Sequence, residues 1–563
     1  MSSSAGRPAA VSNPRTRLTL ASIAVAFAAA DTYVVVLALP NMMAGVGLSA
    51  DELQRAAPII SGFLLGYIAV LPLIGRIADV VGRTPVLVGA LMLFAVGSLI
   101  TAAAYDLPLV VTGRFLQGVG GGGLIPATLA LVADLWPAER RGLPLGVVGA
   151  VQELGSVLGP LLGAVVLAVA DWRYIFWLNL VVAVVLAMLL RGRRLIGMAG
   201  AVGVLACIAL GLTLTAPDRL ASGVTLGLPF VPFTGSSRLL TPIGVVTLAL
   251  ALAWLGLALW RTRGRPARVL AQVDLVGAVL LALALAGVVL AFATADPERE
   301  LMSPAGPWLL AGAAVFGVAF ALWQRRTPAA IVPRGLLGTP AAWGSLLVSF
   351  LIGCALIAAL VDVPVFARTT QGGGQLAAAL VLVRFLVALP VGAVVGGWLT
   401  RRYGLGLITG AGLGLSGAMF VLMAFWSRTA LDHWWATVVL LVCGFGFGLA
   451  LSPVNTAILG ATAADSHGLV SALVVVARMV GMLVGVSALT AIGLRRYFSV
   501  ADGIKSPNEL CPSSPGNCRP FVDALRDAAV SQVHAIFAGA AVCAFLAAVV
   551  AVLLLGRRGV PHT

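Results

Sequence analysis

The sequence predicts an all-α polytopic membrane protein: two parallel six-helix halves with about four linker helices between them, about sixteen spans in total. Three observations carry this prediction. The 563-residue chain is 60% hydrophobic and only 10% charged, whereas soluble globular proteins carry roughly 25% charged residues. Apolar runs of about 20 residues recur along the chain, and each suffices to cross a hydrocarbon core of about 30 Å. Glycine motifs of the first part also return in the last part.

The apolar runs predict helices, because backbone groups in lipid must pair within their own segment and the alternation typical of a β-barrel is absent. The first run is also too long for a signal-peptide core, so we expect an uncleaved first helix. The predicted spans are 18–40, 57–77, 86–105, 108–133, 144–169, 174–190, 195–215, 241–260, 272–294, 307–324, 342–366, 375–400, 405–427, 435–460, 468–494 and 528–556.

Two motifs indicate an internal repeat. GRIADVVGR (75–83) follows the second run, and GGWLTRRYG (396–404) follows the twelfth with the same glycine spacing. The GSVLG stretch of the fifth run (155–159) matches GMLVG of the fifteenth (481–485) at nearly the same offset. Because each half starts on the same side, the repeat is parallel, as in transporters that rock two halves about a midplane site.

The repeat divides the chain into three parts. Residues 1–191 form the predicted N-terminal half, and residues 342–563 form the C-terminal half with an outer loop at 495–527. Residues 192–341 are a predicted linker containing two transmembrane hairpins, at 195–260 and 272–324.

The net charge of +15 predicts membrane topology rather than nucleic-acid binding, because most basic residues fall in loops on one side of the predicted spans. That bias places both termini in the cytoplasm and an acidic stretch, ADPERE (295–300), outside. The basic residues of the predicted cytoplasmic side include Arg7, Arg15, Arg17, Arg76, Arg83, Arg140, Arg141, RGRR (191–194), RTRGRPAR (261–268), Arg325, Arg326, Arg401, Arg402, Arg557 and Arg558.

Four motifs of the first half resemble those of the major facilitator superfamily. GRIADVVGRTPVL (75–87) resembles its loop between helices 2 and 3, and RFLQGVG (114–120) resembles its helix 4 motif. GSVLGPLLGA (155–164) is similar to the antiporter motif of helix 5, with Ala164 where a second glycine is usual. DWRYIFWLN (171–179) resembles the entry to helix 6 in the drug:proton antiporter branch with linker helices.

Within that branch, four stretches are most similar to the mycobacterial triacylglyceride and multidrug exporters, which work with a periplasmic lipoprotein. They are ADTYVVV (30–36), QELGSVLGP (152–160), LVDVPVF (360–366) and VVVARMVGM (474–482). The resemblance implies an inner-membrane lipid exporter, a lipid or drug substrate and a lipid-carrying lipoprotein partner. The branch has two linker helices, which the hairpin at 272–324 resembles, so the other hairpin is an addition of unknown role.

The energy source follows from the residues themselves. The chain has a single lysine, Lys505, preceded by isoleucine, so it lacks the Gly-Lys-Ser/Thr of a phosphate-binding loop. We therefore expect an ion gradient to drive transport, with no cofactor and no metal. No histidine lies deep in a predicted span, so carboxylates must carry the proton. Asp31 and Glu153 lie near the midpoints of their spans, and Asp362 lies nearer an outer end. Such charges cost roughly 2.5–3.5 kcal/mol each and usually mark ion paths.

Three arginines can serve as partners. Arg478 and Arg384 are central in their spans, and the repeat places Glu153 one residue from the mirror position of Arg478. We hypothesise an interdomain ion lock between Glu153 and these arginines, Arg478 first, which protonation of Glu153 or Asp31 releases. By resemblance, Arg114 matches the superfamily's helix 4 arginine, which is implicated in proton transfer. The alternative is that these are satisfied interior pairs with a structural role only.

Two glycine motifs are predicted to govern conformational change, and the first of them follows the second span. The resemblance implies that Asp79, with Gly75, Gly82 and Arg83, latches the outward-facing state, and a helix N-terminus is a natural partner for Asp79. Arg401 occupies the equivalent position of the second half, so the latch should be one-sided.

A small-residue stripe in the fifth span comprises Gly155, Gly159, Pro160 and Gly163. Such a stripe allows close helix approach and pivoting; ordinary close packing is the alternative.

The outer loop carries a candidate disulfide. Cys511 and Cys518 flank a Pro/Gly/Ser turn in a compartment predicted to be oxidising, although two free thiols stay an alternative. FVDALRDAAVSQV (521–533) runs without a break into the last span. It predicts a helix that continues beyond the bilayer, where it could receive substrate or dock a lipoprotein; a plain extended loop is the alternative.

The sequence thus favours a proton-coupled exporter of lipophilic substrates, and few polar residues at depth favour lipids such as triacylglycerides over amphiphilic drugs. A multidrug:proton antiporter is the alternative. An enzyme is not expected: intramembrane aspartyl proteases need tyrosine-aspartate and glycine-aspartate pairs, but Asp31 follows Ala30 and Asp362 follows Val361. A non-transporting sensor on the same fold is not excluded by the sequence.

Overall fold

A computed structural model describes residues 13–48, 53–191, 198–233, 238–262, 274–293, 303–327, 330–332, 335–371, 375–511 and 518–555. Within these ranges the chain is helical and contains no strand. Several basic or acidic stretches that predicted the topology lie outside the described residues: Arg7, residues 192–194, 263–268 and 295–300, Arg557 and Arg558.

Seventeen helices of eleven or more residues make up the described structure. They are α1 (Pro14–Gly45), α2 (Leu53–Ala69), α3 (Leu71–Val81), α4 (Arg83–Ala102), α5 (Leu107–Leu135), α6 (Gly142–Val169), α7 (Arg173–Arg191), α8 (Met198–Thr215), α9 (Pro242–Thr262), α10 (Leu275–Ala293), α11 (Gly306–Arg326), α12 (Pro340–Gln371), α13 (Gln375–Leu399), α14 (Leu405–Met423), α15 (Trp434–Gly460), α16 (His467–Ala501) and α17 (Arg519–Leu555).

Each of the sixteen predicted runs coincides with one of these helices, except that the second run is divided into α2 and α3. The two are bent by 41° next to Pro72, because proline lacks the backbone N–H that would continue the ladder. Within the described residues, 11 helices are long and apolar enough to cross a membrane, or up to 12 if the bent pair is one span. The total of sixteen spans stays a prediction.

Equivalent helices of the predicted repeat make equivalent contacts. In the first half, α6 packs on α1 with Gly155 against the Ala26 carbonyl and Gly159 against that of Ala30. In the second half, α16 packs on α12 with Gly481 against the Phe350 carbonyl. A side chain at any of these glycines would overlap backbone atoms of the neighbouring helix. Small residues therefore set the helix spacing on both sides of the molecule.

The two linker hairpins occupy different places. Helices α8 and α9 are joined by a 3.0 Å hydrogen bond between the hydroxyls of Thr213 and Thr247, and this hairpin packs against α4. The second hairpin, α10 and α11, contacts α2 of the first half and α16 of the second half. Asp274 caps α10 by accepting from the Gly277 N–H at 2.8 Å and from the Gln324 amide at 2.7 Å.

Within the predicted outer loop at 495–527, the described residues (495–511 and 518–527) are mostly helical. α16 continues to Ala501, and α17 begins at Arg519 and runs unbroken through residues 521–533 into the last span, as predicted; that this helix extends beyond the bilayer stays a prediction. At about 1.5 Å per residue, α16 with 35 residues and α17 with 37 residues are both much longer than a hydrocarbon core of about 30 Å. Both sequences keep helical patterning beyond their apolar segments, which is why the helices do not stop there.

A disulfide and an arginine stabilise the helical extension, which consists of the end of α16, the start of α17 and the residues between them. Cys511 and Cys518 form a disulfide with an S–S distance of 2.06 Å. Arg428, in the connection between α14 and α15, donates from Nε to Asp527 at 2.5 Å and from Nη2 to the Asp523 carbonyl at 2.6 Å. The start of α17 is therefore tied both to the connection that follows α16 and to the α14–α15 connection.

The disulfide is expected to protect both thiols from alkylation. Mass spectrometry of the purified protein should find Cys511 and Cys518 unmodified by maleimide until a reductant is added. Removing the bridge in Cys511→Ser/Cys518→Ser should lower the free energy of unfolding of the extension by about 2–3 kcal/mol, because a closed loop of this size loses about that much chain entropy. The Cys207→Ser variant, which changes a thiol in α8, is the matched control. Alkylation of Cys511 without reductant would contradict the prediction.

Candidate functional site

The buried carboxylate of Asp31 on α1 is the centre of a polar cluster inside the N-terminal half. Its Oδ2 accepts from Arg114 Nη1 at 2.5 Å, and its Oδ1 accepts from the Asn179 amide at 2.5 Å. Arg114 lies on α5 and Asn179 on α7, and both are buried. Three helices therefore contribute to one ion pair that is shielded from both water and lipid.

A second layer of contacts holds Arg114 in place. Gln117 accepts from Arg114 Nη1 at 3.0 Å and donates to Ser98 Oγ at 2.8 Å. The ring of Phe63 lies under the guanidinium, with its centroid 4.3 Å from Cζ, a cation–π geometry. Arg114 Nε is buried and has no hydrogen-bond partner among the described residues. The cluster is thus almost fully satisfied in the charged state of the Asp31–Arg114 pair.

Sequence reasoning selected Asp31 and Arg114 separately and missed that they pair. It also missed Asn179 and Gln117, although both lie in stretches that resemble superfamily motifs, DWRYIFWLN (171–179) and RFLQGVG (114–120). A polar side chain in the middle of an apolar helix was the available signal for each. Their convergence depends on how α1, α5 and α7 cross, which spacing in one chain segment does not reveal.

The glycine stripe of α6 packs against α1 next to this polar cluster. Gly155 and Gly159 contact the α1 backbone one turn before and immediately before Asp31, and Gly163 is buried one turn further along. Pro160 also lies within α6. The stripe therefore packs α6 on α1 of its own half, which is the close-packing alternative; its role as a hinge stays a prediction.

Gly159→Leu is expected to separate α1 from α6, because even a Cβ at this position overlaps the Ala30 carbonyl. Overpacking of this kind typically costs 1–3 kcal/mol. The apparent melting temperature of the detergent-purified protein measures the loss. Gly414→Ala in α14 is the matched control, since nothing lies within 4 Å of the added methyl group. Equal melting temperatures for the two variants would be inconsistent with tight packing at Gly159.

Glu153 of the N-terminal half and Arg478 of the C-terminal half do not form the predicted lock in this structure. Both are buried, and Arg478 is close enough to attract Glu153 electrostatically. However, the described structure contains no ion pair within 4.0 Å between them. Arg384 donates to the Thr437 hydroxyl at 3.0 Å, a residue of its own half, and not to Glu153. The interdomain lock therefore stays a prediction for a different conformation.

Asp362 lies apart from both groups. It is buried on α12, and within the described residues it accepts no hydrogen bond and has no charged neighbour close enough to interact. The structure therefore gives Asp362 no partner that would couple it to Asp31 or Glu153.

Asp79 joins the two halves at the predicted cytoplasmic ends. Its carboxylate accepts from the backbone N–H groups of Gly468 at 2.8 Å and Leu469 at 3.0 Å. These are N–H groups of the first turn of α16, which have no partner within the helix and form the positive end of the helix dipole. Arg83 Nη1 lies 2.7 Å from Asp79 and also donates to the Ala78 carbonyl at 2.6 Å.

Two glycines make this contact possible. Gly75 lies against the backbone of Gly468, where a Cβ would come within 2.6 Å of the Gly468 carbonyl oxygen. Gly82 has φ = 101° and ψ = 155°, a conformation that is essentially restricted to glycine. The turn at Gly82 lets Arg83 fold back onto Asp79.

The equivalent contact of the repeat lacks a carboxylate. Gly397 on α13 contacts the Gly142 backbone at the start of α6, and Ser452 donates to the Gly142 carbonyl at 2.7 Å. Arg401, which takes the place of Asp79, is exposed in the turn after α13. All of these contacts between the halves lie at the predicted cytoplasmic ends, so the protein is closed on that side.

Comparisons with known proteins agree with this architecture. Residues 21–324 match the model of the Major Facilitator Superfamily, and a triacylglyceride transporter of Mycolicibacterium hassiacum is 35% identical over 95% of this chain and 91% of its own. This chain belongs to the major facilitator superfamily. Its members are transporters, so the protein is a multi-pass membrane transporter and not an enzyme.

Other relatives and solved structures place the chain within the superfamily. A triacylglyceride transporter of Mycolicibacterium smegmatis is 35% identical over 97% of this chain and 88% of its own. The human organic anion transporter MFSD10 has a TM-score of 0.54 at 15% identity, covering 96% of this chain and 100% of its own. The proton:xylose symporter XylE has the same TM-score at 14% identity, covering 95% and 94%. These two structures show the shared superfamily fold.

Proposed function

We propose that this superfamily member is a proton-coupled exporter of lipophilic molecules, with triacylglycerides or similar lipids as its substrates. The observation that carries the proposal is the Asp31–Arg114 pair, a carboxylate held inside the N-terminal half by one arginine and one amide. The substrate class rests on the 35% identity to proteins named triacylglyceride transporters. We place the protein in the plasma membrane, with both termini cytoplasmic and export directed outward.

Protonation of Asp31 would change the net charge of the Asp31–Arg114 pair. With Asp31 ionised, the pair is neutral overall and its hydrogen bonds are satisfied. With Asp31 protonated, Arg114 is an uncompensated buried charge, which is costly, so a proton at Asp31 favours rearrangement of α1, α5 and α7. A transmembrane potential supplies about 2.3 kcal/mol per charge per 100 mV. Protonation of Glu153 would change its attraction to Arg478 in the same way.

We assign the docking of a partner on the predicted outer side to the extension formed by the end of α16 and the start of α17. In an exporter of apolar lipids it would receive substrate leaving the halves or dock a lipid-carrying lipoprotein. Its bracing by a disulfide and by Arg428 supports a rigid projection, which both roles require.

Transport in proteoliposomes tests the proposal. A labelled triacylglyceride and a cationic dye are followed with and without an imposed pH gradient, for the unsubstituted protein, Asp31→Asn and Glu153→Gln. Asp171→Asn, which changes an exposed carboxylate paired with Arg173, is the matched control. We expect gradient-driven lipid movement that Asp31→Asn and Glu153→Gln abolish and Asp171→Asn preserves. Dye movement without lipid movement would identify a multidrug:proton antiporter instead, and full coupling in both variants would exclude these carboxylates.

A further inference from the structure

The connection between α8 and α9 exposes an unusual amount of apolar surface. Val224 is 92% exposed, Leu228 is 65% exposed and Phe233 is 68% exposed. Leu226, Val231 and Leu240 are also exposed. A contiguous set of exposed apolar side chains on an ordered segment marks a binding surface.

Backbone hydrogen bonds give this connection a defined shape. The Gly227 N–H donates to the Gly223 carbonyl at 2.6 Å, and the Phe230 N–H donates to the Gly227 carbonyl at 2.9 Å. The Phe233 N–H donates to the Leu240 carbonyl at 2.9 Å. Four N–H groups of the segment, including that of Val231 to the Leu228 carbonyl at 3.2 Å, are therefore bonded within the connection, while its apolar side chains are exposed.

Arg238 attaches the connection to the N-terminal half. Its Nη1 donates to the Leu214 carbonyl at the end of α8 at 2.5 Å, and its guanidinium lies 4.3 Å from the ring centroid of Tyr105. Tyr105 lies between α4 and α5, on the predicted outer side. The apolar segment is thus held in a fixed position relative to the adjacent ends of α4, α5, α8 and α9.

The connection joins the two helices of the additional hairpin, α8 and α9, which the sequence predicts to be membrane spans (195–215 and 241–260). Its neighbours α8 and α9 also expose apolar side chains along their length, namely Val204, Leu205, Ile208, Val245, Val246 and Leu248. The exposed surface of the connection is continuous with this lipid-facing surface.

We infer that residues 223–233 insert their apolar side chains into the boundary between headgroups and acyl chains of the leaflet on the predicted outer side. The segment then acts as an interfacial anchor of the additional hairpin, with the lipid surface as its binding partner. Burial of aliphatic and aromatic side chains at that depth is favourable in proportion to their apolar area. This inference does not depend on the transported substrate.

Spin-label depth measurements test the anchor. Val224→Cys and Phe233→Cys are labelled singly in a Cys207→Ser/Cys543→Ser background and reconstituted into phosphatidylcholine vesicles. Accessibility to oxygen, which partitions into lipid, is compared with accessibility to a water-soluble nickel chelate. Leu248→Cys, 60% exposed on α9, is the lipid-facing reference, and Asp502→Cys, exposed at the end of α16, is the aqueous reference.

We expect oxygen to be favoured over the nickel chelate at both test positions, with a ratio between those of the two references. A ratio equal to that of Asp502→Cys would overturn the inference, because the segment would then lie in water. Exclusion of both reagents would also overturn it, because a protein surface, such as a second copy of the chain, would then cover the segment.

Discussion

Replacing Arg114 by glutamine is expected to abolish gradient-driven transport and to lower the free energy of unfolding by about 3–5 kcal/mol, the usual cost of removing one partner from a buried ion pair. The variant leaves the Asp31 carboxylate buried with Asn179 as its remaining strong donor. A neutral amide at position 114 also cannot respond to protonation of Asp31. Thermal denaturation in detergent measures the first effect, and lipid transport in proteoliposomes measures the second.

The double variant Asp31→Asn/Arg114→Gln separates structure from coupling. It removes both buried charges together, so its stability is expected to exceed that of Arg114→Gln, since paired residues are not additive. Transport should stay abolished, because no titratable group remains in the cluster. Arg526→Gln, exposed on α17 beside Asp523, is the matched control and should alter stability by less than about 1 kcal/mol. A double variant that regains gradient-driven transport would show that the cluster is structural only.

Asp79→Asn is expected to open the predicted cytoplasmic side. The amide offers one oxygen where the carboxylate bonds two N–H groups of α16, and it loses the ion pair with Arg83. Hydrogen bonds to a charged group contribute about 1.5–3 kcal/mol each, and 1.4 kcal/mol corresponds to a tenfold change in an equilibrium. The ratio of closed to open molecules should therefore fall at least tenfold.

Spin labels on the two halves measure this opening. Glu139→Cys lies between α5 and α6, and Tyr403→Cys lies between α13 and α14; both positions are exposed at the predicted cytoplasmic ends. The distance distribution between them should shift to longer values in Asp79→Asn. Asp134→Asn, which removes the more exposed partner of Arg83 at 3.4 Å, is the control and should leave the distribution unchanged. An identical distribution in Asp79→Asn and the unsubstituted protein would refute the latch.

The sequence was informative wherever one residue type has one strong environmental preference. A carboxylate in a long apolar run is costly, so Asp31 and Glu153 could be selected without knowing their neighbours. The resemblance placed Asp79 at a conformational latch, and the helix-dipole argument correctly named its partner as a helix N-terminus. It could not name α16, because the backbone N–H groups of a helix start look alike in every sequence.

The sequence could not show which buried polar side chains bond to one another. The repeat placed Glu153 one residue from the mirror position of Arg478, and the described structure forms no ion pair between them, because spacing within one half does not fix distances between the halves. Arg384 donates to Thr437 because a neighbouring helix of its own half is closer to it than the opposite half. Asn179 and Gln117 carried only the weak signal of a polar side chain in an apolar helix, and only the tertiary structure shows that Asn179 bonds Asp31 and that Gln117 bonds Arg114.

By itself, then, the sequence determined the helical class, the helix positions, the repeat and the buried carboxylates, because hydropathy and charge cost act on each segment separately. The bend at Pro72 and the length of α16 and α17 belong to the same local chemistry, although only the structure gave their bounds. The tertiary structure alone decided that Arg114 pairs with Asp31, that Asp79 caps α16 and that the predicted cytoplasmic side is closed. Those contacts join residues far apart in the chain, and helix crossing geometry, which many small residues set jointly, fixes their distances.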